Sequence, residues 1–351
     1  MRFSVRVNND LSVAELTSLA VAAEAAGFDQ VWVSNDLFLR SAPVLAATLA
    51  ARTSRIALGI GVMNPYSVHP AELAMMAATL QEASGGRFLL GIGAGAEQFL
   101  GWAGIPRTAP LATTMAAVAT VRALLGHDDV DRGLLPAWAR EQTDAALKFP
   151  LARPVPVYVG AMGPRMLAMA GAHADGALPL LYPPERFAVA RASVLAGAAP
   201  AGRQVDLPAC FWVSLSADPG RARDALAEKL AYYGPSLSAP MLAEAGLRPT
   251  DFDRAARLAH TGQQAAALID DRMLSLGIAG DAAEVIARCR VLHAIGARHL
   301  SFGPPLGPDP VAAIGLLGSQ VLPALRDLAD QSGPERSEAD RGPAPEGPGL
   351  P

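Results

Sequence analysis

The sequence predicts an α/β fold, a (β/α)8 TIM barrel with an inserted helical subdomain. Three observations lead there. Short apolar runs alternate with longer helical patterns from the N-terminus to about residue 330. Eight strand–helix units fit into that length, which suits this fold. The strand exits Asn35-Asp36, Gly59–Asn64, Gly93–Glu97 and Gly160–Arg165 gather polar residues and glycine at the end where such folds place ligands.

Phe3–Asn8 alternates with period two and predicts the first strand, with Ser4, Arg6 and Asn8 on one face. A face that polar suits a barrel lumen or a site; a solvent-facing edge is the alternative. Ser12 and Glu15 form a capping-box pattern for a helix that Gly27 stops. Phe28–Ser34 is the second strand, and the Asn35-Asp36 that follows also suits a cap or turn. Ala42–Thr53 reads as a helix. Ile56–Met63 is the third strand, and Gly59 and Gly61 within it mark a bulge or a close ligand approach. After Asn64-Pro65-Tyr66, His69-Pro70 opens a helix to Gly86, with His69 read as a polar contact at the helix start. Arg87–Ile92 is the fourth strand. Its exit, Gly93-Ala94-Gly95-Ala96-Glu97, lacks the spacing of a dinucleotide fingerprint.

Pro110–Leu125 is helical, and His127–Arg153 is an irregular excursion with a short helix around Trp138–Ala145. Val155–Val159 is the fifth strand. Gly160-Ala161-Met162-Gly163 then turns tightly into a helix that opens on Pro164, whose missing N–H costs nothing in a first turn. Glycine lets backbone come close to a bound group, and the free N–H groups of a helix start favour an anion. With Arg165 beside them, the turn reads as a phosphate cradle or, equally, as an ordinary glycine turn. Asp175–Pro179 and Leu207–Ser214 are strands six and seven, with a helix at Glu185–Ala198 between them. Pro219 opens another helix. Gly234–Gly277 breaks the rhythm with three prolines and short helical pieces, so an inserted helical subdomain is placed at about 231–277. Gly280–Glu284 starts a helix that ends near Gly296; Arg298–Phe302 is strand eight and Pro310–Ala329 the last helix. The barrel thus covers 1–331. Ser332–Pro351, rich in Pro, Gly and charge, is expected to be a disordered tail.

The net charge of −4 leaves no basic footprint, which argues against nucleic acid. Cys210 and Cys289 lie in apolar runs and read as buried thiols in a reducing, cytoplasmic compartment. No leader pattern opens the chain and no apolar run spans a membrane. The histidines are scattered without ligand spacing, so no metal site is expected. Trp32 reads as core. For Trp102 and Trp212 core packing is favoured over a pocket role, while Tyr182, Tyr232 and Tyr233 sit near loops over the barrel mouth as pocket or lid residues.

The motifs resemble the luciferase-like group of flavin and deazaflavin barrels, in the coenzyme F420-dependent branch that includes methylenetetrahydromethanopterin reductase. The resemblance rests on Gly27–Val33 before Asn35-Asp36, Leu58–Tyr66, Gly85-Gly86-Arg87 with Leu90–Gly95, Val159–Leu167, and Asp175-Gly176. It implies a ring in the barrel mouth, backed by a bulge with a non-prolyl cis peptide at Gly61–Val62. It implies a cofactor wall of Asn35, Asp36, Gly61, Val62, Asn64, Gly93, Ala94 and Gly95. Gly160, Ala161, Met162, Gly163, Pro164 and Arg165 would hold the phosphate. The cofactor would exchange a hydride with a C=C or C=N bond while the protein supplies position and shielding.

The chain departs from that pattern in three places. Asn35-Asp36 stands where the close reductases usually carry Asp-His, Arg6 where the first strand often carries an acid, and Ala96 before Glu97 where an acid often follows Gly-Ala-Gly. Asp36 and Glu97 become the proton-donor candidates. Arg6 should pair with one of them or with an acidic substrate group, because an unpaired buried arginine is costly. Arg6, Asn8, Tyr182 and Trp212 are the substrate candidates. An FMN-dependent monooxygenase using oxygen is the alternative activity, and a non-catalytic barrel subunit the alternative class. The expected partner is a small-molecule or modified-peptide substrate, in a possible homodimer.

Overall fold

The structure is a computed structural model that describes residues 1–142 and 144–331. The expected tail lies outside the described residues. Nine strands form: β1 (Arg2–Val7), β2 (Gln30–Val33), β3 (Ala57–Met63), β4 (Phe88–Ile92), β5 (Val157–Gly160), β6 (Gly176–Leu178), β7 (Ala209–Leu215), β8 (Ile278–Gly280) and β9 (His299–Leu306). They make one sheet in the order β6-β5-β4-β3-β2-β1-β9-β7-β8, and every pair described is parallel. Two further parallel bridges, Gly176 to Asp206 and Leu180 to Cys210, link the β6 edge to the entry of β7.

The count is nine strands, not the expected eight. The extra strand, β8, has three residues, too few for a periodic signal. The last strand runs to Leu306 rather than Phe302, through Pro304 and Pro305, where sequence reasoning ends a strand. The short helix expected around Trp138–Ala145 covers Ala137–Glu141, and a π turn at Leu317–Val321 interrupts the last helix.

The outer strand face carries Val5, Val31, Ile60, Leu90 and Val159, all buried under the helices in the main core. Helix contacts there are close. A Cβ on Gly197 would stand 1.9 Å from the Ala168 carbonyl oxygen, and one on Gly171 2.1 Å from that of Val194. Only a residue without a side chain allows the helices Pro164–His173 and Phe187–Ala198 to meet this way.

The inner face is closed at its base by Trp32, Leu89 and Tyr158. The Trp32 and Tyr158 rings meet edge-on with centroids 5.0 Å apart. A Cβ on Gly59 would stand 2.2 Å from the indole, and one on Gly176 2.1 Å from the Tyr158 ring. Gly59 therefore serves Trp32, not a ligand. Below the rings lies a bonded polar layer. The Trp32 indole N–H donates to Gln30 at 2.8 Å and the Tyr158 hydroxyl to Asp206 at 2.8 Å. His299 joins Asp206 at 3.0 Å to the Ser4 hydroxyl at 3.0 Å. The rings and this layer separate the C-terminal strand exits from a second cavity of about 600 Å³ at the opposite end, lined by Arg2, Asp206 and His299.

The irregular stretch after the helix Pro219–Tyr233 brings Met241, Leu242 and Phe252 into a second core cluster with Leu230 of that helix and Trp212 of β7. Among the described residues no helix is long and apolar enough to cross a membrane.

Candidate functional site

A cavity of about 660 Å³ opens at the strand exits. It is lined from β1 by Arg6, Val7 and Asn8, from the β2 exit by Ser34–Leu37, and from the β3 exit by Gly61, Val62 and Asn64. Gly93–Ala96 follow β4, Gly160–Gly163 follow β5, and Trp212, Pro304, Lys229 and Tyr233 complete the ring.

One wall is a backbone device. The β3–β4 register shifts between Ile60 and Met63, and the Gly61–Val62 peptide is cis, at the bond the resemblance implies. The bulge drives the Val62 side chain toward three glycines. A Cβ would meet a Val62 methyl at 3.1 Å from Gly91, 2.7 Å from Gly93 and 2.9 Å from Gly160. Gly160 is thus needed for Val62, a second reason for glycine at this position beside the cavity. Asn64 lies at the cavity edge, but its side-chain oxygen accepts from Tyr66 N at 3.1 Å and Ser67 N at 2.9 Å, so it holds the turn. A Cβ on Gly163 would meet nothing within 4 Å, and no side chain caps the helix that begins there. The first amides of that helix are therefore left without a side-chain acceptor. Pro164 and Arg165 lie outside the lining residues.

The other wall, from β1, β7, β9 and the helix Pro219–Tyr233, is made of side chains. The Arg6 guanidinium donates from Nη2 to the Phe211 carbonyl at 2.7 Å and lies over Gly303, whose Cβ would stand 2.3 Å from it. Its Nε is buried without a partner, and it forms no ion pair among the described residues. The expected pairing with Asp36 or Glu97 is therefore not made. The Lys229 ammonium stands 4.1 Å from the Tyr233 ring centroid and 5.7 Å from that of Trp212. Burial pulls its pKa down to about 8, with Asp10 and Asp36 opposing and Arg6 reinforcing.

Asp36 is held by its backbone. Asn9, fully buried, donates from Nδ2 to the Asp36 carbonyl at 3.0 Å and accepts from its amide at 3.3 Å. Burial raises the Asp36 pKa against the pull of Lys229 and a bond to Ser34. Glu97 goes elsewhere. Its side chain is 76% exposed and paired with Arg107 at 2.7 Å, and Arg107 also donates to the Gly95 carbonyl at 3.1 Å. Tyr182 is likewise away from the cavity, buried where its oxygen accepts the Ser238 amide at 2.8 Å. Trp102, expected in the core, is 62% exposed beside Phe99. Trp212 packs and lines at once. His69 caps its helix by accepting the Ala71 amide at 3.2 Å, in line with its expected role.

Sequence reasoning missed Lys229 and Arg107. The signal for Lys229 was its place on the apolar stripe Leu226–Leu230–Tyr233, where a solvated lysine does not belong. Among the described residues no group of three or more His, Cys, Asp or Glu side chains gathers as a metal site would require.

Comparison with known proteins adds four findings. The sequence profile described as luciferase-like monooxygenase matches residues 1–299. The 5,10-methylenetetrahydromethanopterin reductase of Methanolobus tindarius is 31% identical over 92% of this chain and all of that protein. An F420-dependent glucose-6-phosphate dehydrogenase of Nakamurella multipartita is 32% identical over 90% of this chain and 94% of that protein. Among solved structures, the coenzyme F420-dependent tetrahydromethanopterin reductase of Methanopyrus kandleri superposes with a TM-score of 0.78 at 27% identity, over 92% of this chain and 98% of that one.

Proposed function

The chain belongs to the luciferase-like monooxygenase family, and from that premise we infer an F420-dependent oxidoreductase whose cavity seats the deazaflavin against the Val62 bulge. The observation that carries this reading is the seating of Val62. Gly91, Gly93 and Gly160 give up their side chains to set one apolar group at the mouth of the lumen. A planar ring needs such a backing, and an empty barrel does not.

The residues present fit the group. Val62 and Ala161 offer an apolar surface, and the uncapped turn Gly160–Gly163 offers amides to a phosphate. Gly93, Ala94, Gly95 and Asn35 close the wall around it. When bound, the deazaflavin supplies a hydride to, or takes one from, a C=C or C=N bond of a small molecule. The chain binds, orients and excludes water; the filled lumen base and the residues Tyr233, Ser236 and Leu237 over the mouth serve the last purpose. Asp36 is the group placed to hold or release a proton at its carboxyl oxygen, with a raised pKa suited to that exchange. Glu97, turned outward onto Arg107, is given no catalytic role.

The finer architecture is part of the same proposal. The bridges from β6 to β7 close eight strands into a barrel, with β8 as an addition, and about 231–277 is an inserted subdomain that brings Ser236 and Leu237 over the mouth. The test is anaerobic. Reduced F420 mixed with the protein and a panel of imines and activated alkenes is expected to be reoxidised without oxygen. A requirement for oxygen would place the chain with the monooxygenases instead.

A further inference from the structure

Four charged side chains line the cavity: Arg6, Asp36, Arg107 and Lys229. Glu97 already neutralises Arg107 at 2.7 Å. Arg6 and Lys229 have no carboxylate within ion-pair distance among the described residues. Both sit on the wall away from the Val62 bulge and from the Gly160–Gly163 turn.

From this juxtaposition we propose that the substrate carries an oxyanion group, a carboxylate or phosphate, bound between the guanidinium of Arg6 and the ammonium of Lys229. The proposal rests on the assignment of the bulge wall to the deazaflavin, which leaves the Arg6 wall to the substrate.

The chemistry follows from desolvation. A guanidinium taken out of water is costly unless its donors are met. Arg6 meets one, with the Phe211 carbonyl at 2.7 Å, and keeps a buried Nε without a partner. Gly303 leaves space for the guanidinium, since a Cβ there would stand 2.3 Å from Nη2. The remaining donors form a planar fork that matches a carboxylate or phosphate edge. Lys229 is held by aromatic faces rather than by an acid, 4.1 Å from the Tyr233 centroid. Its ammonium is a point charge free to meet a second oxygen of the same anion. Burial is the main disfavour to the Lys229 charge, and the neighbouring Arg6 cation adds to it against the pull of Asp10 and Asp36. An anion between the two cations relieves their repulsion, so the pair is better formed with a ligand than without.

The test is calorimetric titration of the F420-loaded protein with inorganic phosphate and, separately, with succinate, glycerol being the neutral control. The wild type is expected to bind at least one anion and not glycerol. Arg6→Met and Lys229→Met should each weaken that binding at least about tenfold, and Lys229→Arg should retain it. A preference for phosphate points to a phosphate ester and a preference for succinate to a carboxylic acid; either supports the proposal. Absence of anion binding by the wild type, or equal binding by both methionine variants, overturns it. Should Arg6→Met fail to fold, the Lys229 pair of variants decides alone. F420 affinity is measured separately on each protein and is expected to change less than about threefold. A wild type that binds phosphate but no F420 would sink the cofactor assignment and leave the anion site standing.

Discussion

The bulge wall and the Arg6 wall face each other across one cavity and are built by opposite means. The first is shaped by the absence of side chains, with Gly91, Gly93 and Gly160 seating Val62. The second is shaped by long side chains, Arg6, Trp212, Lys229 and Tyr233, from segments far apart in sequence. A wall of backbone is rigid and unforgiving of one added methyl. A wall of side chains tolerates change in shape but is sensitive to charge. In this chain the second wall carries Arg6 and Lys229.

The largest effect should come from adding a methyl to the rigid wall. Gly91→Ala places a Cβ 2.6 Å from the Ile60 carbonyl oxygen and 3.1 Å from Val62, so the bulge must move. Overpacking of this kind costs about 1–3 kcal/mol, and the displaced bulge should weaken F420 binding more than about tenfold. Thermal unfolding and fluorescence titration would measure the two losses. Unchanged binding would mean that Val62 is not the backing.

Next is Asp36→Asn. Turnover is expected to fall on the order of a hundredfold if Asp36 exchanges the proton. Stability should move the other way. The folded Asp36 pKa lies above its ordinary value, so its ionisation opposes folding and stability is lost as pH rises through that raised pKa. The asparagine variant escapes this and should unfold at a higher temperature at neutral pH. A variant with full turnover would remove Asp36 from the chemistry.

Lys229 gives a smaller, pH-dependent signature. It faces Arg6, Asp10, Asp36, Tyr233 and Trp212, and its pKa falls from 10.5 to about 8. Anion affinity at the Arg6 wall should therefore weaken as pH rises through about 8, and Lys229→Arg should extend the plateau to higher pH. Folding stability gains over the same interval, from about 8 up to 10.5, as the buried charge is discharged in the native state.

The smallest effect is expected behind the rigid wall. The Glu24 carboxylate accepts the amides of Ser54, Arg55 and Ile56 at 2.9, 2.7 and 2.9 Å, at the entry to β3. Burial opposes these bonds, yet they bring its pKa down to about 2. Its contribution is present above about 4.5 and is lost as pH falls toward about 2. Glu24→Gln should flatten acid denaturation in that interval while leaving F420 binding intact.

The contrast between the walls also explains what could be read from the sequence. Gly61, Gly93 and Gly160 interrupt apolar strands, a local anomaly that marks a bulge and strand exits within the chain itself. Why they are glycine was not fully legible for Gly160, since one reason is Val62, nearly a hundred residues away in the chain. Lys229 sits on a helix whose apolar stripe is local, but the cavity that stripe faces is made by distant strands. Glu97 shows the converse. An acid after a glycine-rich strand exit was a fair candidate until Arg107 turned it outward. The strand β8 was hidden by its length of three residues, and Trp102 by the fact that hydrophobicity does not say which apolar residue stays at the surface.

The central claim is that the bulge wall seats a deazaflavin, and a side-by-side fluorescence titration of the purified protein with coenzyme F420 and with FMN tests it most directly. Tight binding of F420 with much weaker binding of FMN is the predicted result. Preference for FMN, or binding of neither, would contradict it.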